Sequence, residues 1–413
     1  MKAIDPDLII PPPIPFADQT IGEMDEAAKI FDVPASHLIK DILEGDNAPK
    51  VNPADAYNRF YIPIGKLVIN FNKLDEVAYK SAVADTISKL KAALSDLEKA
   101  VVTEDQKNLT KTGKPGGTVY LRAIKKMLHW LEDPVGRKPP CTIFAKGNDK
   151  LPFWTFSTLP GVTCPGAGDC LVDPNDKTKR GWCYSFRGWH KFTPYMRQLQ
   201  NTLLIRLRDK SWIEEDAKKK FKKGDVVRLY VDGDMDSKET ISYWMHFCDR
   251  YPDNSFYGYS KSWGLFEQWH KDHNGNWPSN YLLNLSSGTK LERILSKEKF
   301  QAVVKRMLDL KNPKTGHRLV RGTFRALKVQ SESPGRSIPL PMYGPYLPSK
   351  MAPTWNSHRQ EVLNAAKTAG IRGDFSAKGV FVCPGYCGDC LPNGKHACGD
   401  RRFTDMAVII GIH

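Results

Sequence analysis

The chain has 413 residues, of which 41% are hydrophobic and 26% charged, enough apolar material for a folded core, which excludes global disorder. It carries 61 Lys and Arg against 46 Asp and Glu, a formal net charge of +15, so an anionic partner is expected, nucleic acid being the commonest class. There is no run of about 18 apolar residues, and the first fifteen hold one Lys and the run Pro11-Pro12-Pro13, so neither a membrane span nor a secretory leader is expected and the setting reads as cytoplasmic.

Residues 1–140 read as an N-terminal extension, loop-rich with helices. A short helix is expected over 23–31 and a strand over 56–70. Ile87, Leu90, Leu94, Leu97 and Val101 recur at three- and four-residue steps, which predicts an amphipathic packing helix over 84–102. Residues 111–118 mix lysines with glycines but lack the Walker spacing and its closing Gly-Lys-Ser/Thr, so they read as a loop. A helix follows near 120–132, and the prolines from Pro134 to Pro140 mark a soft boundary.

Residues 141–350 read as an α/β core holding a first cysteine loop and a basic segment. The β-branched run 226–231 predicts a buried strand, 239–250 a helix, and 255–260 and 281–285 two more strands. Strands alternating with helices argue for parallel βα units. Residues 297–328 hold ten Lys or Arg against two acidic residues, with an amphipathic helix over 299–310. Lys305, Arg306, Lys314, Arg318 and Arg321 are the candidates there for phosphate contact. A solvated basic face accounts for the same pattern.

Nine cysteines in a reducing setting need a reason other than disulfides. Cys141 and Cys248 stand alone and read as small core hydrophobes. The other seven fall into two sets. Cys164, Cys170 and Cys183 lie in one Gly/Pro-rich loop. Cys383, Cys387, Cys390 and Cys398 lie within 351–413, a C-terminal cysteine cluster region. Thiolates converging from such loops suit iron–sulfur or zinc. Four thiolates complete a closed site. Three leave one iron of a four-iron cluster open, so function is expected at the first set. The alternative metal is zinc, and His396 could stand in for one thiolate.

Other groups could serve the same site. Asp232 and Asp234 end a predicted strand, at the edge where parallel α/β folds bind ligands, and are the catalytic candidates. Asp-Gly-Asp is equally turn chemistry, with Asp236 or Ser237 capping the next helix. Trp182, Tyr184, Phe186, Trp189, His190 and Phe192 interleave with Arg180, Arg187 and Lys191. Aromatics stack on bases while cations meet phosphates, so Arg187, Trp189 and Lys191 join the nucleic-acid candidates.

At these residues the chain resembles the phage gene-product-88 family. The shared features are Cys164-Pro-Gly-Ala-Gly-Asp-Cys170, the pair Cys183-Tyr184 with its basic aromatic stretch, and the strand end Val231-Asp232-Gly233-Asp234. They continue through Tyr251-Pro252 and Phe256 to Ser262, and the terminal cysteines, over about 150–410. The same order is similar to phage proteins assigned to the radical S-adenosylmethionine superfamily. That similarity implies a partial (βα) barrel with an iron–sulfur cluster at its mouth and S-adenosylmethionine as a further cofactor. It implies reductive chemistry near a nucleotide or nucleic acid, in a protein of a phage or mobile element. Two features depart from the pattern: the stretch Leu171 to Trp182 between the second and third cysteine, and the lack of a clear glycine-rich S-adenosylmethionine motif. The alternative is a zinc-stabilised, non-catalytic DNA- or RNA-binding protein, serving replication.

Overall fold

The computed structural model describes residues 64, 67, 77–88, 90, 116–147, 151–161, 163–171, 181–183, 185, 192–331, 353–369, 371, 380–383, 387 and 397–412. Among the described residues, eight strands form one sheet: β1 (Ala145–Lys146), β2 (Trp154–Phe156), β3 (Val226–Leu229), β4 (Ser255–Ser260), β5 (Tyr281–Ser286), β6 (Val320–Lys328), β7 (Val380–Val382) and β8 (Ala407–Ile412). Their spatial order is β1-β2-β3-β4-β5-β6-β8-β7. Only β1 runs antiparallel to its neighbour. All other neighbouring pairs are parallel.

The helices fill the crossovers. α1 (Gly116–Leu131) precedes the sheet. α2 (Phe192–Arg206) and α3 (Ser211–Lys220) join β2 to β3, α4 (Lys238–Arg250) joins β3 to β4, and α5 (Trp263–Asp272) joins β4 to β5. α6 (Lys297–Leu308) leads into β6, and α7 (Pro353–Thr368) follows it. From β2 to β6 each strand is laid beside the last in chain order. Right-handed crossovers that always step the same way keep their helices on one face. Strand alternation then sorts the side chains. Phe156, Val227, Leu229, Phe256 and Leu283 share the main core with Trp244, Phe247 and Phe266 of the helices. Tyr257, Leu282 and Val408 cluster separately, with Cys398.

α4 shows how the local sequence builds this layer. Ser237 caps it, its hydroxyl accepting from the Thr240 N–H at 3.1 Å, a contact worth about 1 kcal/mol. Ile241, Trp244, Met245 and Cys248 recur on one side and are buried, and Pro252 cannot continue the helix. The Trp244 indole donates to the Tyr230 hydroxyl at 3.0 Å and packs on Phe156 with ring centroids 4.8 Å apart.

Several expectations are corrected. Ile64 and Leu67 are helical, not extended, because a short apolar run fits either period. Residues 77–88 and 90 are helical, so the helix expected over 84–102 begins earlier. It docks on α1 through the Tyr79 hydroxyl, which donates to the Leu131 carbonyl at 2.9 Å. Gly116 to Thr118, expected in a loop, open α1. The helix expected over 23–31 lies outside the described residues. The α/β class holds, and the sheet is open, with β1 and β7 as its edges. β7 and β8, from the C-terminal region, extend the sheet that the middle of the chain begins. No helix among the described residues is long and apolar enough to cross a membrane.

Candidate metal centre at the carboxyl edge

The first cysteine loop leaves β2, the first strand of the parallel array, at its carboxyl end. The tip of β3 holds it there. Thr158 N–H donates to the Asp232 carbonyl at 3.0 Å, and Asp234 N–H donates to Thr163 Oγ1 at 3.3 Å. The loop then crosses the tips of β4 and β5. Lys290 N–H donates to the Gly166 carbonyl at 3.0 Å and Gly168 N–H to the Gly288 carbonyl at 2.8 Å. A Cβ on Gly166 would sit 2.0 Å from the Lys261 carbonyl oxygen, and one on Gly168 2.7 Å from Lys290 Cα. The glycines of Cys-Pro-Gly-Ala-Gly-Asp-Cys are therefore needed for close approach. Gly166→Ala is expected to push the loop off β4 and cut metal retention severalfold while the far-ultraviolet spectrum stays unchanged. Full retention in that variant would show the loop's seating to be immaterial.

The long gap between Cys170 and Cys183 closes on itself. Gly181 N–H donates to the Leu171 carbonyl at 2.9 Å and Cys183 N–H to the Cys170 carbonyl at 2.8 Å. The inserted stretch thus leaves and returns at one point, and the second and third cysteines become backbone neighbours.

Lys261 lies at the end of β4 among these groups. Its Nζ donates to Ser286 Oγ at 3.0 Å. Burial alone would lower its pKa, but the charges of Cys170, Cys183, Asp234 and Cys164 together raise it. Burial pushes the Cys164 thiol well above the usual range, with Asp234 and Cys183 adding to it. Burial pushes Cys170 to about 12, against the pull of Lys261. Asp234 is buried, accepting from Lys261 N–H at 2.8 Å and Ser262 Oγ at 3.2 Å. Its carboxyl is raised by burial and eased down by the Lys261 N–H, the Ser260 side chain and the Lys261 charge. Asp232 is raised by burial too, offset by Ser185, Arg228, Arg197 and by Gln198, whose Nε2 donates at 3.0 Å. Asp236 instead pairs with Arg206 at 3.1 Å, and Ser237 makes the cap.

Three of the second set, Cys383, Cys387 and Cys398, lie on the sheet face of Tyr257 and Val408. Cys383 follows β7, its N–H donating to the Ile409 carbonyl at 2.7 Å. Cys398 sits in a 3₁₀ turn whose carbonyl accepts from Asn284 Nδ2 at 2.9 Å. Cys387 lies 4.0 Å from the Tyr257 hydroxyl. Burial raises its thiol, which Arg228 lowers and Cys398 raises again. The Arg228 guanidinium rests on the Tyr259 ring, 4.5 Å from its centroid. Cys390 and His396 lie outside the described residues. Cys248 is buried, as expected of a core residue, and Cys141 is partly buried against the core.

Among the described residues, no three His, Cys, Asp or Glu side chains are drawn together tightly enough to grip an ion as they stand. The donor chemistry of the first loop still fits a sulfur-ligated centre: three soft thiols within electrostatic reach of one ammonium. Sequence reasoning missed Lys261 in this role. Its place at the carboxyl end of a parallel strand was the available signal.

The basic segment divides. Lys305 and Lys314 are exposed. Arg306 pairs with Glu267 at 3.0 Å, and Arg318 pairs with Asp405. Arg321 is fully buried, so its assignment to phosphate contact is withdrawn. Leu283 pairs with Val320 and Asn284 with Gly322, which makes Arg321 the extra residue of a bulge and turns it inward. Arg187, Trp189 and Lys191 lie outside the described residues.

A family model described as gene product 88 matches residues 132–338. The matched span takes in the first cysteine loop, both aspartates and Lys261, and stops short of the terminal cysteines. No curated protein and no solved structure matches the chain.

Proposed function

This chain belongs to the gene product 88 family, and from that premise we propose that it is a metal-cluster protein whose working centre is held by Cys164, Cys170 and Cys183. The observation that carries the reading is the seating of the cysteine loop across the tips of β4 and β5, where Gly166 and Gly168 bond Lys290 and Gly288 and Cys183 N–H donates to the Cys170 carbonyl at 2.8 Å. The chain-ordered strands, with the cysteine loop after the first of them, support a partial (βα) barrel of radical S-adenosylmethionine type. The centre is iron–sulfur in this reading. When bound, it supplies reductive one-electron chemistry, with one iron left open for S-adenosylmethionine. Asp232 and Asp234, which follow β3 at the same edge, would serve as proton-handling or ligand-contacting carboxylates. The substrate is nucleic acid or a nucleotide, and the setting is the cytoplasm of a phage's host.

Cys383, Cys387, Cys390 and Cys398 form a second, closed site with a structural role. The zinc alternative draws its support from this set: Asn284 and the Ile409 carbonyl fix the backbones of Cys398 and Cys383, as a scaffold would. In that alternative the chain is a non-catalytic nucleic-acid-binding protein.

Anaerobically purified protein tests the choice. Brown protein with acid-labile sulfide and about four irons per cluster is expected. Colourless protein with stoichiometric zinc would sink the iron–sulfur reading. A pH dependence follows from the raised thiols. Loading must expel their protons, so cobalt(II) uptake by metal-free protein should tighten as pH rises from about 6 to about 8, with protons released. Uptake indifferent to pH would count against thiol ligation.

A further inference from the structure

The solvent side of α1 is a stripe of basic residues. Arg122, Lys125, Lys126 and His129 recur at i, i+3, i+4 and i+7, and all four are exposed. Ile124, Met127, Trp130 and Leu131 are buried on the other side. The helix contains no acidic residue. Glu132, just beyond it, meets Arg137 at 2.6 Å and the His129 ring at 3.9 Å. In the 297–328 segment, by comparison, Arg306, Arg318 and Arg325 each meet a carboxylate.

The stripe also borders a cavity. Arg122 and Lys126 wall a cavity of about 220 Å³ with Pro140, Cys141 and Met196. Met196 lies in α2, the helix that rises from the cysteine loop. Next to it in α2, Arg197 senses both Cys141 and Asp232.

We propose that α1 is the surface that holds a nucleic-acid backbone, with phosphates on Arg122 and Lys126. This rests on the reading of nucleic acid as partner and gives that partner a place. Phosphate contacts of this kind position a strand without reading its sequence, so binding is sequence-tolerant and salt-sensitive.

The test uses the full chain and fluorescein-labelled single- and double-stranded DNA, read by anisotropy over a salt series. Two double variants are compared: Arg122→Glu with Lys126→Glu, and Lys305→Glu with Lys314→Glu. The first should weaken binding at least tenfold and reduce the salt slope by about 1.4 to 1.8, the loss of two phosphate contacts. The second should change affinity less than about twofold, and metal content should be unaltered in both. Wild-type binding that survives the α1 change overturns the inference and leaves the partner standing. Wild-type protein that binds no DNA at low salt overturns the partner itself. Capture of phosphatidylserine vesicles through α1, with no DNA binding, would also overturn it.

Discussion

Cys164→Ala is expected to remove one metal centre and leave the other. Cys164 and Cys170 lie in the loop seated on β4 and β5, where Cys183 N–H bonds the Cys170 carbonyl, while Cys383, Cys387 and Cys398 lie on the Tyr257 face. Loss of a ligand from an incomplete three-thiol set leaves only two, too few to retain the cluster. Iron and sulfide should fall by about half, since the second site supplies its own thiolates. Thermal stability should change little, because the loop's backbone bonds do not involve the Cys164 side chain beyond its contact with Gly161 N–H at 3.4 Å. Loss of all iron would show that the two sets share one centre. Loss of none would remove Cys164 from the ligands.

Arg321→Met is expected to be the most destabilising single change on the sheet. The guanidinium is fully buried. It donates to Asn284 Oδ1 at 2.6 Å, to the Met406 carbonyl at 2.8 Å, to the Thr323 carbonyl at 3.1 Å and to the Phe403 carbonyl at 3.2 Å. Methionine fills much of the volume but strands these acceptors, at about 1–3 kcal/mol for each one left buried and unpaired. The total should reach about 3–5 kcal/mol, measured by urea unfolding. Asn284 links this network to the Cys398 carbonyl, so the variant should also lose metal from the C-terminal set before the first set. A cost under about 1 kcal/mol would mean that water satisfies the acceptors.

These two sites differ in how far the sequence betrays them. The strands at 255–260 and 281–285 and the helix at 239–250 follow from local pattern, and the structure keeps them nearly in register. Cys164, Cys170 and Cys183 are legible as a set by proximity alone. The closure of the gap between Cys170 and Cys183 is not, because it depends on two backbone hydrogen bonds across the stretch. Arg321 reads as one more cation in a basic segment. Its burial comes from a bulge against β5 and from carbonyls more than eighty residues away. Lys261 is a single lysine after an aromatic strand, and only the pairing of β4 with β3 and β5 brings it to the thiols. The run at 56–70 misleads in the opposite way, since its apolar residues satisfy two periods and tertiary packing chooses between them.

The central claim is that three thiols at the carboxyl edge hold a cluster with one position open to a small ligand. Electron paramagnetic resonance of the dithionite-reduced, anaerobic protein tests this most directly, with and without S-adenosylmethionine. A signal that shifts on addition, and that is absent from Cys164→Ala, is the predicted result. A signal indifferent to the ligand, or one that shifts equally in Cys164→Ala, would contradict it.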